Sequence, residues 1–284
     1  MIYCVSGLGG FIGSHLKRML ETRGDKVVRI TQELLYQPDL LKTFFEKEQP
    51  DYIINLMSYG NHSNQTDGNM AILANIIGAT NMLSASLTIP YKGFVQVGTS
   101  SEYGISDMPM REKDALDPLT FYAAAKASAT MIARVFARQY AKPIVIVRPF
   151  SVYGEGEAEF RFIPTIIRSL IQNKEMELDT KPVHDWIYVD DFITGMLTAM
   201  EHAKSGEIVN IGTGREVSNQ QMVNVLQNIA NKQLKYKEAI LRPFDTPHWS
   251  ANIAKLMGYG WRAKFPLGIG LGKVYEYYKA QYSN

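Results

Sequence analysis

The stretch Ser6-Gly7-Leu8-Gly9-Gly10-Phe11-Ile12-Gly13-Ser14-His15-Leu16 decides the architecture. An apolar run over residues 2–5 precedes it, and Ile12, Leu16, Met19 and Leu20 follow on one face of a helical repeat. A strand, a glycine turn and a helix N-terminus in that order make an anion site. The turn brings backbone N–H groups close to a phosphate, and the helix dipole favours negative charge there. A Cβ at Gly7 or Gly10 would hinder that approach. One at Gly13 would push the helix off the strand.

Outward from this turn the same rhythm repeats. Residues 26–30, 52–56, 93–97 and 144–147 read as further strands, short and rich in β-branched side chains, with helical patterns between them. Strands apolar on both faces that alternate with helices imply an α/β fold with a doubly wound parallel sheet. Beyond about residue 150 the rhythm loosens. Helices are expected over 163–172 and 218–231, the latter opened by a Ser218 cap, and a short strand leads into a helix over 186–203. The reading therefore divides the chain into residues 1–150 and a smaller α/β domain over 151–284, with elements free to cross between them.

The 284 residues carry 30 basic and 28 acidic side chains, a net charge of +2. That balance is no footprint for nucleic acid or an anionic membrane surface, so any phosphate must be held locally. The single cysteine, Cys4, excludes an intrachain disulfide and fits a reducing compartment. With no basic leader and no apolar run long enough to span a bilayer, a cytoplasmic location is expected. The five histidines show no ligand spacing, and no metal site is expected.

The reactive residues lie mid-chain, in "VGTSSEYG" (97–104) and "FYAAAK" (121–126). Tyr122 and Lys126 are four apart and share a helix face. An adjacent ammonium favours tyrosinate, which would make Tyr122 an acid or base usable near neutrality. Thr99 would hold the reacting oxygen. At the end of the second strand, where a carboxylate would bind an adenosine ribose, stands Thr31. A hydroxyl there tolerates a 2′-phosphate, which leans toward NADP.

With these residues in view the chain resembles the extended short-chain dehydrogenase/reductase family, in its nucleotide-sugar branch. The resemblance spans nearly the whole chain, through "GLGGFIG", "NIIGATNML", "GTSSEYG", "YAAAK", "RPFSVYG", "HDWIYVDDF", "NIGTG" and "RPFD". It implies a Rossmann-type domain for NAD or NADP, lined by Gly7, Gly10, Phe11, Ile12, Gly13, Thr31, Leu56 and Lys126. It also implies a C-terminal domain for a nucleoside-diphosphate sugar, the catalytic set Thr99, Tyr122 and Lys126, and a homodimer through helices near 70–87 and 120–140.

Departures from the family pattern shape the expected chemistry. Sugar 4,6-dehydratases carry acidic residues immediately after the catalytic threonine, to move the C5 proton and the leaving hydroxyl. Here those positions are Ser100 and Ser101, and Glu102 on a strand would point to the other face. Dehydration is disfavoured. The usual asparagine and arginine of the diphosphate site are Ser151 and His184, leaving Arg161 and Arg242 as candidate cations. Tyr59 to His62, "YGNH", looks like a feature of CDP-sugar 4-ketoreductases. A 4-keto-sugar reductase is thus the first expectation and a 4-epimerase the alternative. A non-catalytic dinucleotide sensor is expected less, because such a protein would be free to lose the tyrosine or lysine.

Overall fold

The computed structural model describes residues 1–61, 64–240 and 248–282. Strands β1 (Ile2–Ser6), β2 (Lys26–Ile30), β3 (Tyr52–Asn55), β4 (Gly93–Val97) and β5 (Ile144–Pro149) lie parallel. Strand Ile208–Ile211 adds to the β5 edge, so the order is β2-β1-β3-β4-β5 and then that strand. The sixth strand thus comes from the C-terminal part of the chain.

Side-chain alternation builds two cores, one per face. Tyr3, Val5, Val95, Val97, Val145 and Val147 meet Leu16 and Leu20 of α1 (Phe11–Thr22), together with Phe192, Ile193 and Met196 of the helix Val189–His202. Cys4, Ile53, Phe94, Ile144 and Ile146 meet Leu41, Phe45, Met82, Leu83, Ala133 and Ala137 on the opposite face. Leu16 and Leu20 are fully buried, and each such side chain contributes about 1.5–3 kcal/mol.

After β1 the chain runs outward to β2, then crosses back through the helix Pro38–Glu48 to β3 on the other side of β1. The strand order reverses there, and ligands of open α/β sheets bind beyond the carboxyl ends of the strands at that reversal. Ser6 and Asn55 close the seam, Ser6 Oγ donating to Asn55 Oδ1 at 2.6 Å. The remaining elements form a smaller α/β region of two-stranded pairs and helices. Its short strands are fastened by Asp185, buried, which accepts from Thr213 N and Oγ1, Gly214 N and Ala251 N. Ser218 caps the helix Asn219–Ala230 as its sequence predicts, in a reciprocal box with Gln221. Among the described residues no helix is long and apolar enough to cross a membrane.

Candidate active site

The glycine turn bends where the sequence places it. Gly7 has φ +70°, and a Cβ there would stand 3.0 Å from the Leu56 carbonyl. A Cβ on Gly13 would stand 2.6 Å from Leu8 Cα, so α1 can approach β1 only with glycine at that position. Gly10 is less crowded; its Cβ would meet the Gly7 carbonyl at 3.3 Å, leaving ligand approach as the stronger reason for glycine. α1 begins at Gly10 with no side-chain cap and no acidic residue in its first turn, next to the half-buried Phe11 and Ile12. Among the described residues its first N–H groups have no capping side chain, which fits the diphosphate of a dinucleotide.

At the end of β2, Thr31 caps a short helix by accepting from Leu34 N at 3.4 Å. Two neighbours escape a reading of the sequence alone. The Arg29 guanidinium lies 3.7–3.9 Å from where a Gly9 Cβ would stand. Exposed Glu33 engages the Thr31 side chain, and that bond with its own backbone holds its carboxyl below the ordinary range. A cation and a carboxylate thus flank this corner together.

The loop after β3 links the turn to the reactive residues. Leu56 N donates to Ser6 O at 3.3 Å, and the Met57 carbonyl accepts from Lys126 Nζ at 3.4 Å. Ser58, which sequence reasoning missed, and Thr99 both act to lower the Tyr122 hydroxyl, which sets their side chains beside it. Gly60, at φ +100°, leaves room for Tyr122, whose Cβ lies 3.0 Å from where a Gly60 Cβ would stand. Asn75 pins the loop from a π-turn (Leu73–Ile77), exchanging bonds with Tyr59 N and O at 3.1 and 2.8 Å. His62 lies outside the described residues.

Thr120 caps the helix Phe121–Gln139 and sets Tyr122 and Lys126 one turn apart facing this loop. Lys126 is buried, and desolvation pulls its ammonium down to about 8. Burial, helped by the Glu102 charge, pushes the Tyr122 hydroxyl up, while Thr99, Ser58 and the Arg161 charge pull the other way. The expected lowering of the phenol by Lys126 is therefore not what dominates in the free protein. Desolvation is the largest influence on the phenol, since charge is costly in a buried site.

Thr99 caps a 3₁₀ turn, Ser100–Tyr103, instead of continuing the strand. Glu102 therefore turns back, fully buried, onto Thr99 N. The strand expected to turn Glu102 to the opposite face is thus replaced by a turn that buries its carboxylate. Ser100 is buried and accepts from Trp249 Nε1 at 3.2 Å, a second neighbour that the sequence did not reveal.

Of the expected sugar-site residues, Arg161 is the one whose charge acts on Tyr122. Its Nε reaches Glu157 and its Nη1 the Asn61 carbonyl, both at 3.3 Å. Ser151 and His184 stand half-buried on the short strands Ser151–Tyr153 and Val183–His184, either side of Asp185, with the His184 ring edge-on to Trp186. Arg242 lies outside the described residues. The structure thus brings Thr99, Tyr122, Lys126 and Ser58 into one cluster, which the β3 loop joins to the glycine turn.

Comparison with known proteins fits this arrangement. The chain is 27% identical to dTDP-D-glucose 4,6-dehydratase of Homo sapiens, over 86% of this chain and 73% of that one. Its fold is similar to UDP-glucose 4-epimerase from Thermotoga maritima, solved with UDP-glucose (TM-score 0.90, 24% identity, 99% and 100% covered). It is also similar to UDP-glucuronic acid 4-epimerase from Bacillus cereus, solved with UDP-glucuronic acid and NAD (TM-score 0.85, 25% identity, 99% and 100% covered). Residues 3–212 match the NAD dependent epimerase/dehydratase family, and the chain belongs to it as an NAD(P)-dependent enzyme.

Proposed function

We propose that the protein is an oxidoreductase acting at C4 of a nucleoside-diphosphate sugar. The carrying observation is the convergence of Thr99, Ser58 and Tyr122 hydroxyls beside a buried Lys126. A bound dinucleotide would supply or take up hydride. Tyr122 gives or removes the proton at the sugar oxygen, Thr99 orients that oxygen, and Lys126 provides positive charge while the site is closed to water. Gly7, Gly10, Phe11, Ile12 and Gly13 would hold the diphosphate, and Leu56 and Lys126 would follow the cofactor toward the sugar. Arg161, held by Glu157 and with its charge acting on Tyr122, would be the cation offered to the sugar's own diphosphate.

The sequence alone favoured 4-keto reduction; the similar solved structures named above are 4-epimerases and give that reading the better support. Reduction stays as the second reading because Thr31, with no carboxylate of its own, occupies the ribose position beside Arg29. An epimerase must return the hydride to the same sugar, so it retains its dinucleotide through turnover. The purified enzyme is therefore expected to interconvert C4 epimers of a UDP- or dTDP-hexose without added cofactor. If it instead consumes added NADPH stoichiometrically on a 4-keto sugar, the reductase reading replaces it; no activity on either panel would sink both.

We also propose a homodimer built on the helices Gly68–Ser86 and Phe121–Gln139, which pack side by side. They expose Ile72, Met131 and Val135, each 45–53% accessible, and apolar side chains on adjacent helices suit a self-complementary interface. Met131→Glu with Val135→Glu should convert a dimer to a monomer by sedimentation. A wild type that sediments as a monomer at micromolar concentration would overturn this.

A further inference from the structure

One buried carboxylate joins the three elements that frame the site. Glu102 Oε1 accepts from Thr99 N at 2.9 Å and from Thr130 Oγ1 at 3.0 Å. Its Oε2 accepts from Arg148 Nε at 2.8 Å. Thr130 lies one turn beyond Lys126 on the same helix face, and Arg148 comes from β5, its guanidinium 4.5 Å over the Tyr103 ring. Gly98 makes room for the carboxylate, because a Cβ there would collide with Oε1.

A structural ion pair alone accounts poorly for this arrangement. A buried pair is often no more stable than an apolar one of similar volume, and it needs one carboxylate oxygen only. Here the other oxygen goes to the Thr99 turn and to the helix of Tyr122 and Lys126. Lys126 has one hydrogen bond to protein among the described residues, a long one to the Met57 carbonyl. Charge from Glu102 opposes the desolvation of that ammonium.

We propose that Glu102 is a positioning residue for the reaction proposed above, holding Thr99 against the Tyr122 helix and setting a carboxylate on that helix one turn beyond Lys126. The inference rests on that reading of the site. The charged and titratable groups around the pair are few. Tyr122 stands one turn before Lys126, with Arg161 acting on it. Arg148 and Tyr103 stand on the other side of Glu102, with Arg134 and Glu112 beyond them. The Tyr103 hydroxyl is occupied by Asn210.

Glu102→Gln removes the charge and keeps an oxygen for Thr99 N. Because it also leaves Arg148 buried without its partner, Glu102→Gln with Arg148→Met serves as the second variant. Lys126 is titrated in the free protein by NMR of ¹⁵Nζ-labelled lysine, and turnover is profiled against pH. In both variants Lys126 should lose its proton at lower pH than in the wild type. The basic limb of kcat should move the same way, and kcat should fall at least about tenfold with little change in sugar KM. A Lys126 titration and pH profile that superimpose on the wild type, with only the melting temperature lowered, would reduce Glu102 to a structural ion pair. The lysine titration needs no substrate, so it remains informative even if Tyr122→Phe were to refute the reaction itself.

Discussion

Tyr122→Phe should lower turnover by at least about 100-fold, within the ~10²–10⁴-fold that general acid–base catalysis contributes. The substitution removes only the hydroxyl. The ring keeps its place against Gly60, Thr99 Oγ1 still accepts from Ser101 N at 3.2 Å, and Ser58 is exposed to solvent, so the loss leaves no buried group without a partner. Dinucleotide and sugar affinities measured by calorimetry should therefore stay close to wild type while kcat collapses. Near-normal turnover by this variant would refute the mechanism, because Tyr122 is the group assigned to move the proton.

Lys126→Met should separate stability from activity in opposite directions. Burial lowers the lysine from 10.5 to about 8. The folded state thus disfavours the protonated form relative to the unfolded chain. At neutral pH both states carry the proton, so the cost is fully present. It fades only as pH rises from about 8 toward 10.5, where first the folded and then the unfolded form becomes neutral. The difference corresponds to about 3 kcal/mol at pH 7. Methionine fills similar space without the charge, so the variant should melt several degrees higher, at roughly 2–4 °C per kcal/mol for a chain of this size. Its advantage should shrink above pH 8. Turnover should fall by about 100-fold or more, because the cation that assists proton transfer is gone, and cofactor affinity should fall with it. A lower melting temperature at pH 7 would show that the buried ammonium is stabilising and that its environment has been misread. Such opposition of stability and activity is expected where a site stores unfavourable burial for use in chemistry.

Much of this was legible before any coordinates, because it rests on local spacing. Glycines three apart between an apolar run and a helical repeat specify the turn, and the demand at Gly13 comes from Gly7 and Leu8, close neighbours in the chain, although Gly7 itself meets distant Leu56. Tyr122 and Lys126 share a face because a helix has 3.6 residues per turn, whatever surrounds it. Alternation of side chains along β1, β4 and β5 likewise foretold two cores on two faces.

The remainder depended on which distant segments meet. Ser58 reaches Tyr122 because the chain crosses to the far side of β1 before forming β3, and nothing local to "NLMSYGN" encodes that crossing. Arg29 precedes the position where a ribose-binding residue is sought, yet its long side chain extends over Gly9 from the edge strand. Glu102 was placed on a strand by its neighbours' apparent pattern. A capping turn at Thr99 reverses it, and Arg148 and Thr130, far along the chain, give the buried carboxylate partners that no adjacent residue could supply. The direction of the Tyr122 shift also came from the fold alone. Spacing reveals that an ammonium is near, but desolvation is a property of everything packed around a group. The sequence by itself therefore determined the turn, the helix register and the identity of the reactive pair, since those follow from backbone periodicity. Tertiary structure decided which hydroxyls converge on Tyr122, where Glu102 points and whether burial or charge prevails, since each depends on packing between segments distant in the chain.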